Sequence, residues 1–234
     1  NDARDISDAA FKIDRIQKHN HRFFTKDKFN YLEDGDGNFI PINVYIGVDV
    51  AATATKKSDF QVILVIGIDK NKNRYVLEYF HERIPTFDVP EKIIELAKKY
   101  SPVKRVTIET VAAQEMVRDM VTRIATSDRR LIPGIFKGVR PPAGIKKEDR
   151  LETSLGPIVN SKKLFIRNEM TEIVDEFFEH PFAKHDDLMD GLYYADWYAK
   201  PPLSGTVKKD AIDNRGKKDG NRKKYNWFTG ARVN

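Results

Sequence analysis

Apolar residues in this chain gather into short runs split by polar turns, and the spacing inside each run says which element it builds. Val44-Tyr45-Ile46-Gly47-Val48 is continuously apolar and closes on Asp49, as suits a buried central strand. A polar loop at 53–58 leads to a second strand at 60–68, and the turn at 69–73 returns the chain as a third strand at 74–82. Connections this short predict a meander of antiparallel neighbours.

Helical spacing follows. Asp88 caps a helix with Pro90 in its first turn and Ile93, Ile94, Leu96 and Ala97 as its apolar face. Residues 105–109 form a fourth strand, again closing on an acid, Glu109. Met116, Val117, Met120, Val121 and Ile124 are spaced for a helix, and 131–139 reads as a fifth strand in spite of Pro133-Gly134. Pro141-Pro142-Ala143-Gly144 opens a loop into a charged helix with Lys146, Lys147 and Arg150. Leu164-Phe165-Ile166 is a short strand, expected in a hairpin with a neighbour. The helix at 172–179 turns Ile173, Val174, Phe177 and Phe178 inward, and His185-Asp186-Asp187 begins a last helix ending near Tyr198. Three meandering strands, then helix, strand, helix and strand, give an α/β fold with a mixed five-stranded sheet flanked by helices.

Residues 1–40 read as a linker, or as the remnant of an upstream domain, ahead of this body. Phe11, Ile13 and Ile16 suggest a short amphipathic helix. The run Asp34-Gly35-Asp36-Gly37-Asn38 has the look of a calcium loop, but Phe39 stands where the glycine is needed and Tyr45 where the closing glutamate is needed. It is a turn.

Composition narrows the classes. With 234 residues, 40% of them hydrophobic, the chain buries a real core as one domain with extensions. Having no cysteine, it has no disulfide scaffold, thiolate zinc site or cysteine nucleophile. No apolar run approaches the roughly 20 residues of a membrane helix, so no membrane partner is expected. The chain starts without a methionine, as a fragment of something longer would. Its net charge of +6 lies entirely in the tail at 201–234, where nine basic residues meet three acids; residues 41–200 with the preceding segment are balanced. That tail reads as flexible, and its Trp227 and Phe228 suit either a docking role or an incidental one.

Two acids stand out by position. Asp49 and Glu109 each end an otherwise apolar strand, where an unpaired charge is costly. If those strands are parallel neighbours, the two carboxylates meet at one sheet edge, and Asp186 and Asp187 open a helix able to bring a third. Their plain alternative is helix capping. Converging carboxylates without cysteine select Mg2+ or Mn2+, and two such ions about 3.5–4 Å apart suit phosphodiester hydrolysis.

The order of these features resembles ribonuclease H-like nucleases, and the wording is similar to the C-terminal nuclease domain of large terminase subunits from tailed bacteriophages. The resemblance spans roughly residues 41–199. It rests on Tyr45-Ile46-Gly47-Val48-Asp49, Ser58-Asp59-Phe60, Ile108-Glu109-Thr110, His185-Asp186-Asp187-Leu188-Met189-Asp190, and Lys147 with Arg150. It implies Asp49, Glu109 and Asp186 as catalytic metal ligands, with Asp187 helping to hold a second ion. Asp186 is preferred over Asp187 as the main ligand, while Asp59, His185 and Asp190 support the site. Lys146, Lys147 and Arg150 either contact DNA phosphates or form a solvated helix face. Tyr193, Tyr194, Trp197 and Tyr198 are assigned to packing. The family cuts double-stranded DNA during genome packaging in the host cytoplasm, with portal protein and small terminase subunit as partners. Its ATPase domain lies upstream in the same polypeptide; this chain has no Gly-x-x-x-x-Gly-Lys-Ser/Thr and starts where a cut after that motor would fall. The competing readings are another ribonuclease H-like enzyme, such as a junction resolvase or transposase core, and a non-catalytic DNA- or portal-binding module.

Overall fold

The computed structural model of the chain describes residues 10–51, 60–110, 114–128, 131–183 and 186–203. The expected loop at 53–58, Asp59, His185, and the tail from 204 with Trp227 and Phe228 lie outside the described residues. In chain order come β1 (Gln17–His19), β2 (Arg22–Lys26), β3 (Phe29–Glu33), β4 (Phe39–Asp49), β5 (Gln61–Ile68), β6 (Arg74–Glu82), α1 (Val89–Lys99) and β7 (Val103–Glu109). They are followed by α2 (Gln114–Ser127), β8 (Phe136–Val139), α3 (Lys147–Asn160), β9 (Leu164–Arg167), α4 (Thr171–Glu179) and α5 (Asp187–Asp196).

Among the described residues the main sheet runs β8-β7-β4-β5-β6-β9-β1. β5 is antiparallel to β4 and β6, and every other pair in that row is parallel. The expected meander is therefore β4-β5-β6, with the parallel strands β7 and β8 on its β4 side. All of β5 is buried, because helices cover both faces of the sheet and leave no polar side to alternate with. α1 and α2 close one core over Val44, Ile46, Val48, Ile63, Val65, Val106 and Ile108. α3, α4 and α5 close the other over Tyr45, Val62, Leu64, Ile66 and Val76. No helix among the described residues is long and apolar enough to cross a membrane.

Four expectations are corrected. β9 joins no hairpin. Its sequence neighbours are helices, so it enters by crossover, parallel to β6 and β1. The fifth strand begins only at Phe136, since Pro133 to Ile135 is a 3-10 turn whose proline lacks the ladder N–H. Residues 10–33 are not a linker but part of the body. The expected helix is one 3-10 turn at Ile13–Arg15, and Phe11 is 2% exposed, its ring 4.9 Å from that of Phe177. Burying that ring alone stabilises by roughly 2 kcal/mol. β2 and β3 extend the first half of β4, and Asn30 donates to the carbonyls of Tyr100 and Pro102. The hairpin carries no glycine punctuation: Asp27 and Lys28 take the left-handed conformation themselves, at φ 52° and 64°. The turn at 34–38 forms as expected, the Asp34 carboxylate accepting from the Asp36 and Asn38 N–H groups.

One close approach positions everything that follows. A Cβ on Gly47 of β4 would stand 2.0 Å from the Gly191 carbonyl oxygen and 2.2 Å from the Ala195 nitrogen. A Cβ on Gly191 would stand 2.7 Å from Val62. The two glycines let α5 lie directly on β4 and β5, backbone against sheet. Gly47→Ala meets backbone rather than a yielding side chain. It is expected to cost at least about 3 kcal/mol and to lower the thermal unfolding midpoint by roughly 6–12 °C. An unchanged midpoint would place α5 elsewhere.

Candidate functional site

Alternation along the strands decides which side chains face α5. Val44, Ile46 and Val48 fill the core under α1 and α2, so Tyr45, Gly47 and Asp49 point the other way. In β7 the same alternation turns Val106 and Ile108 inward beneath α1 and α2, and Glu109 toward α5. β4 and β7 are parallel with Val48 level with Ile108, so Asp49 and Glu109, each the last residue of its strand, end side by side. Burial pushes the Asp49 carboxyl well above the usual carboxylate range. A hydrogen bond to Glu109 and the charges of Asp190 and Glu109 push it further, opposed by Lys147.

α5 supplies the second half of the cluster. Asp186 is its N-cap, and Asp190 lies one turn on along the same face. The Lys147 ammonium, from the first turn of α3, donates to Asp186 Oδ1 at 2.6 Å and also bridges to Asp190 Oδ2. Arg150 Nη2 donates to Asp190 Oδ1 at 2.9 Å. Burial lowers the Lys147 pKa, but the carboxylates of Asp190 and Asp186 outweigh it and hold the ammonium charged. Asp190 is 3% exposed; burial raises its pKa against the pull of Lys147 and Arg150.

The expected residues thus divide. Asp49, Glu109, Asp186 and Asp190 come together, with Lys147 and Arg150 among them. Lys147 and Arg150 are not a solvated helix face; of the expected basic trio only Lys146 is exposed. Asp187 turns away from the cluster. Its Oδ2 lies 3.8 Å from His81 Nε2, and His81 Nδ1 is 2.8 Å from Glu172 Oε1. Burial lowers the His81 pKa, but Asp187 and Glu172 raise it overall. A cavity of about 260 Å3 opens beside this histidine, between Phe60, Arg83 and the acidic edge of α4.

Two residues of the neighbourhood escaped the sequence reading. Tyr194, assigned to packing, is fully buried, and among the described residues its hydroxyl meets no hydrogen-bond partner. Burial raises its pKa, as do the charges of Glu109 and Asp190. Its signal was the four-residue step from Asp190, which shares its helix face. Glu176 of α4 is 5% exposed, whereas Phe178, expected inward, is 65% exposed. The inward stripe is Ile173, Glu176, Phe177 and His180, and the signal was a charge sitting at apolar spacing. Glu176 Oε1 and Oε2 accept the Leu188 and Met189 N–H groups at 3.2 and 2.9 Å.

Oxygen-only donors suit a hard divalent cation, and crowded carboxylates, whose charges repel one another, are what such an ion relieves. Asp49, Glu109, Asp186 and Asp190 have that chemistry. Among the described residues no three acids or histidines are arranged as a ready-made chelate, and Lys147 supplies the positive charge between Asp186 and Asp190.

Burial pushes the Glu176 carboxyl up to about 8, against the two N–H groups that favour its charged form. Above the ordinary carboxylate range and up to that value the unfolded chain has released this proton while the folded chain keeps it. Folding stability therefore falls as pH climbs through that window. Glu176→Gln carries no such proton. Its urea unfolding midpoint is expected to drop less than the wild-type midpoint between about pH 5 and pH 8. Parallel curves would assign the proton to another group.

No protein-family profile matches the chain, and no curated protein matches it by sequence. Among solved structures, the large terminase nuclease of thermophilic phage G20c, with bound zinc, matches with a TM-score of 0.54 and 17% identity. That match covers 82% of this chain and 100% of that one. The P22 large terminase nuclease domain follows at TM-score 0.49 and 14% identity, over 79% of this chain and 89% of that one. The yeast mitochondrial Holliday junction resolvase matches at TM-score 0.43 and 12% identity, over 64% and 75%. The order of the strands, the helices on both faces and the G20c match agree on one architecture: a mixed α/β fold similar to that of the G20c large terminase nuclease.

Proposed function

We propose that this domain is a metal-dependent endonuclease that cuts double-stranded DNA, as a terminase nuclease does when a phage genome is packaged inside the host cell. One observation carries the reading. Asp49 and Glu109 end adjacent parallel strands on the face where Asp186 and Asp190 of α5 are gathered around Lys147. Asp49, Glu109 and Asp186 would hold Mg2+ or Mn2+, with Asp190, rather than the averted Asp187, as the further acid of α5. Two ions bound there would supply an activated water and a counter-charge for the leaving oxygen. Lys147 and Arg150 would then carry positive charge beside the phosphodiester, and the exposed Lys146 would meet the backbone further out. An upstream ATPase domain, the portal protein and the small terminase subunit are the partners this reading supplies.

Plasmid cleavage in Mn2+ tests it. Asp49→Ala and Glu109→Ala are each expected to abolish cutting. Neither should lower the unfolding midpoint, since each removes one of two crowded acids. Undiminished cutting by both variants would end the proposal. Preference for a four-way junction over linear duplex would replace packaging with resolution.

A further inference from the structure

An aspartate at the N-cap ordinarily turns its side chain back onto its own helix, accepting the N–H of the second or third helical residue. Asp186 does not. It makes no capping hydrogen bond, and its carboxylate accepts from Lys147 instead. The two N–H groups it would have served are those of Leu188 and Met189. Both are taken by the carboxyl oxygens of Glu176, which reaches across from α4. Helix α5 is therefore capped by another helix.

The geometry points to Glu176 as a positioning residue. By capping α5 from outside, it frees the Asp186 carboxylate to face Lys147, Asp190 and an entering divalent cation, a role that rests on the nuclease reading above. Packing alone does not account for it. Glu176 sits between Ile173 and Phe177 on the inward face of α4, where an apolar side chain would bury at a lower desolvation cost. What an apolar side chain lacks there is an acceptor. Without one, the buried N–H groups of Leu188 and Met189 need a partner, and Asp186 is the nearest residue of the right kind by sequence. Once turned back onto its helix, Asp186 no longer faces Lys147. The two roles compete for one carboxylate, and Glu176 resolves the competition.

The test uses three variants and reads Mn2+ binding by calorimetry beside plasmid cleavage. Glu176→Leu keeps volume and removes the acceptor. It is expected to weaken Mn2+ binding about tenfold and to lower kcat about tenfold, leaving the KM for DNA unchanged. Glu176→Gln keeps an acceptor oxygen and is expected to restore most of both. On an Asp186→Ala background, Glu176→Leu should cost nothing further, because the carboxylate it positions is gone. Should Glu176→Leu fail to fold, Glu176→Ala gives the same reading without adding a branched side chain. Equal losses with and without Asp186 would show a merely structural cap and overturn the role. So would a folded Glu176→Leu or Glu176→Ala that binds and cuts like wild type. A wild-type protein that takes up no Mn2+ and cuts nothing would sink the nuclease reading and this role together.

Discussion

The backbone contact between α5 and β4 is the constraint on which the rest depends. Gly47 and Gly191 let the helix sit directly on the sheet, with no side chain between them. The distance from strand end to helix start then allows two carboxylates of the sheet and two of the helix to share one space. A single methyl group at either glycine would lift the helix and separate the acids. The stability of the second core and the assembly of the site are thus one requirement: the same contact buries Leu188, Leu192 and Ala195 and delivers Asp186 and Asp190.

Bringing four acids together creates an electrostatic problem that the structure meets in two ways. Burial and the neighbouring acids push the Asp49 carboxyl above the usual carboxylate range, and Lys147 and Arg150 pair with the helix acids Asp186 and Asp190. The arrangement also explains why Lys147 and Arg150 occupy the first turn of α3, one helical step apart and facing α5. Their charges are spent on Asp186 and Asp190 inside the site.

Much of this was legible in the sequence where a strong local pattern and a long-range contact agree. The apolar runs of β4, β5 and β6 with short turns dictate a meander, and acids ending β4 and β7 marked Asp49 and Glu109 before any coordinates. What stayed hidden depends on rotation or on partners distant in the chain. Asp186 and Asp187 are adjacent, so they point about 100° apart on a helix. Sequence cannot say which one faces the site, and the answer is set by the glycine contact further along the helix, at Gly191. Asp190 follows from Asp186 by helical geometry once that rotation is known. The strands β1 to β3 were illegible for another reason. Their turn uses Asp27 and Lys28 at positive φ in place of glycine, and their pairing with β4 and β9 spans large stretches of chain.

Glu176 combines both kinds of difficulty. A charge on the buried stripe of an amphipathic helix reads, by itself, as an error in the pattern, and the natural correction is to rotate the helix until Phe178 faces inward. The structure buries the acid and exposes the phenylalanine. That choice makes sense only through α5, whose first N–H groups need an acceptor that its own N-cap residue is not free to provide. The broken pattern in α4 and the unused cap in α5 are therefore two ends of one hydrogen-bonded link. A local rule broken at one point in this chain satisfies a requirement at another.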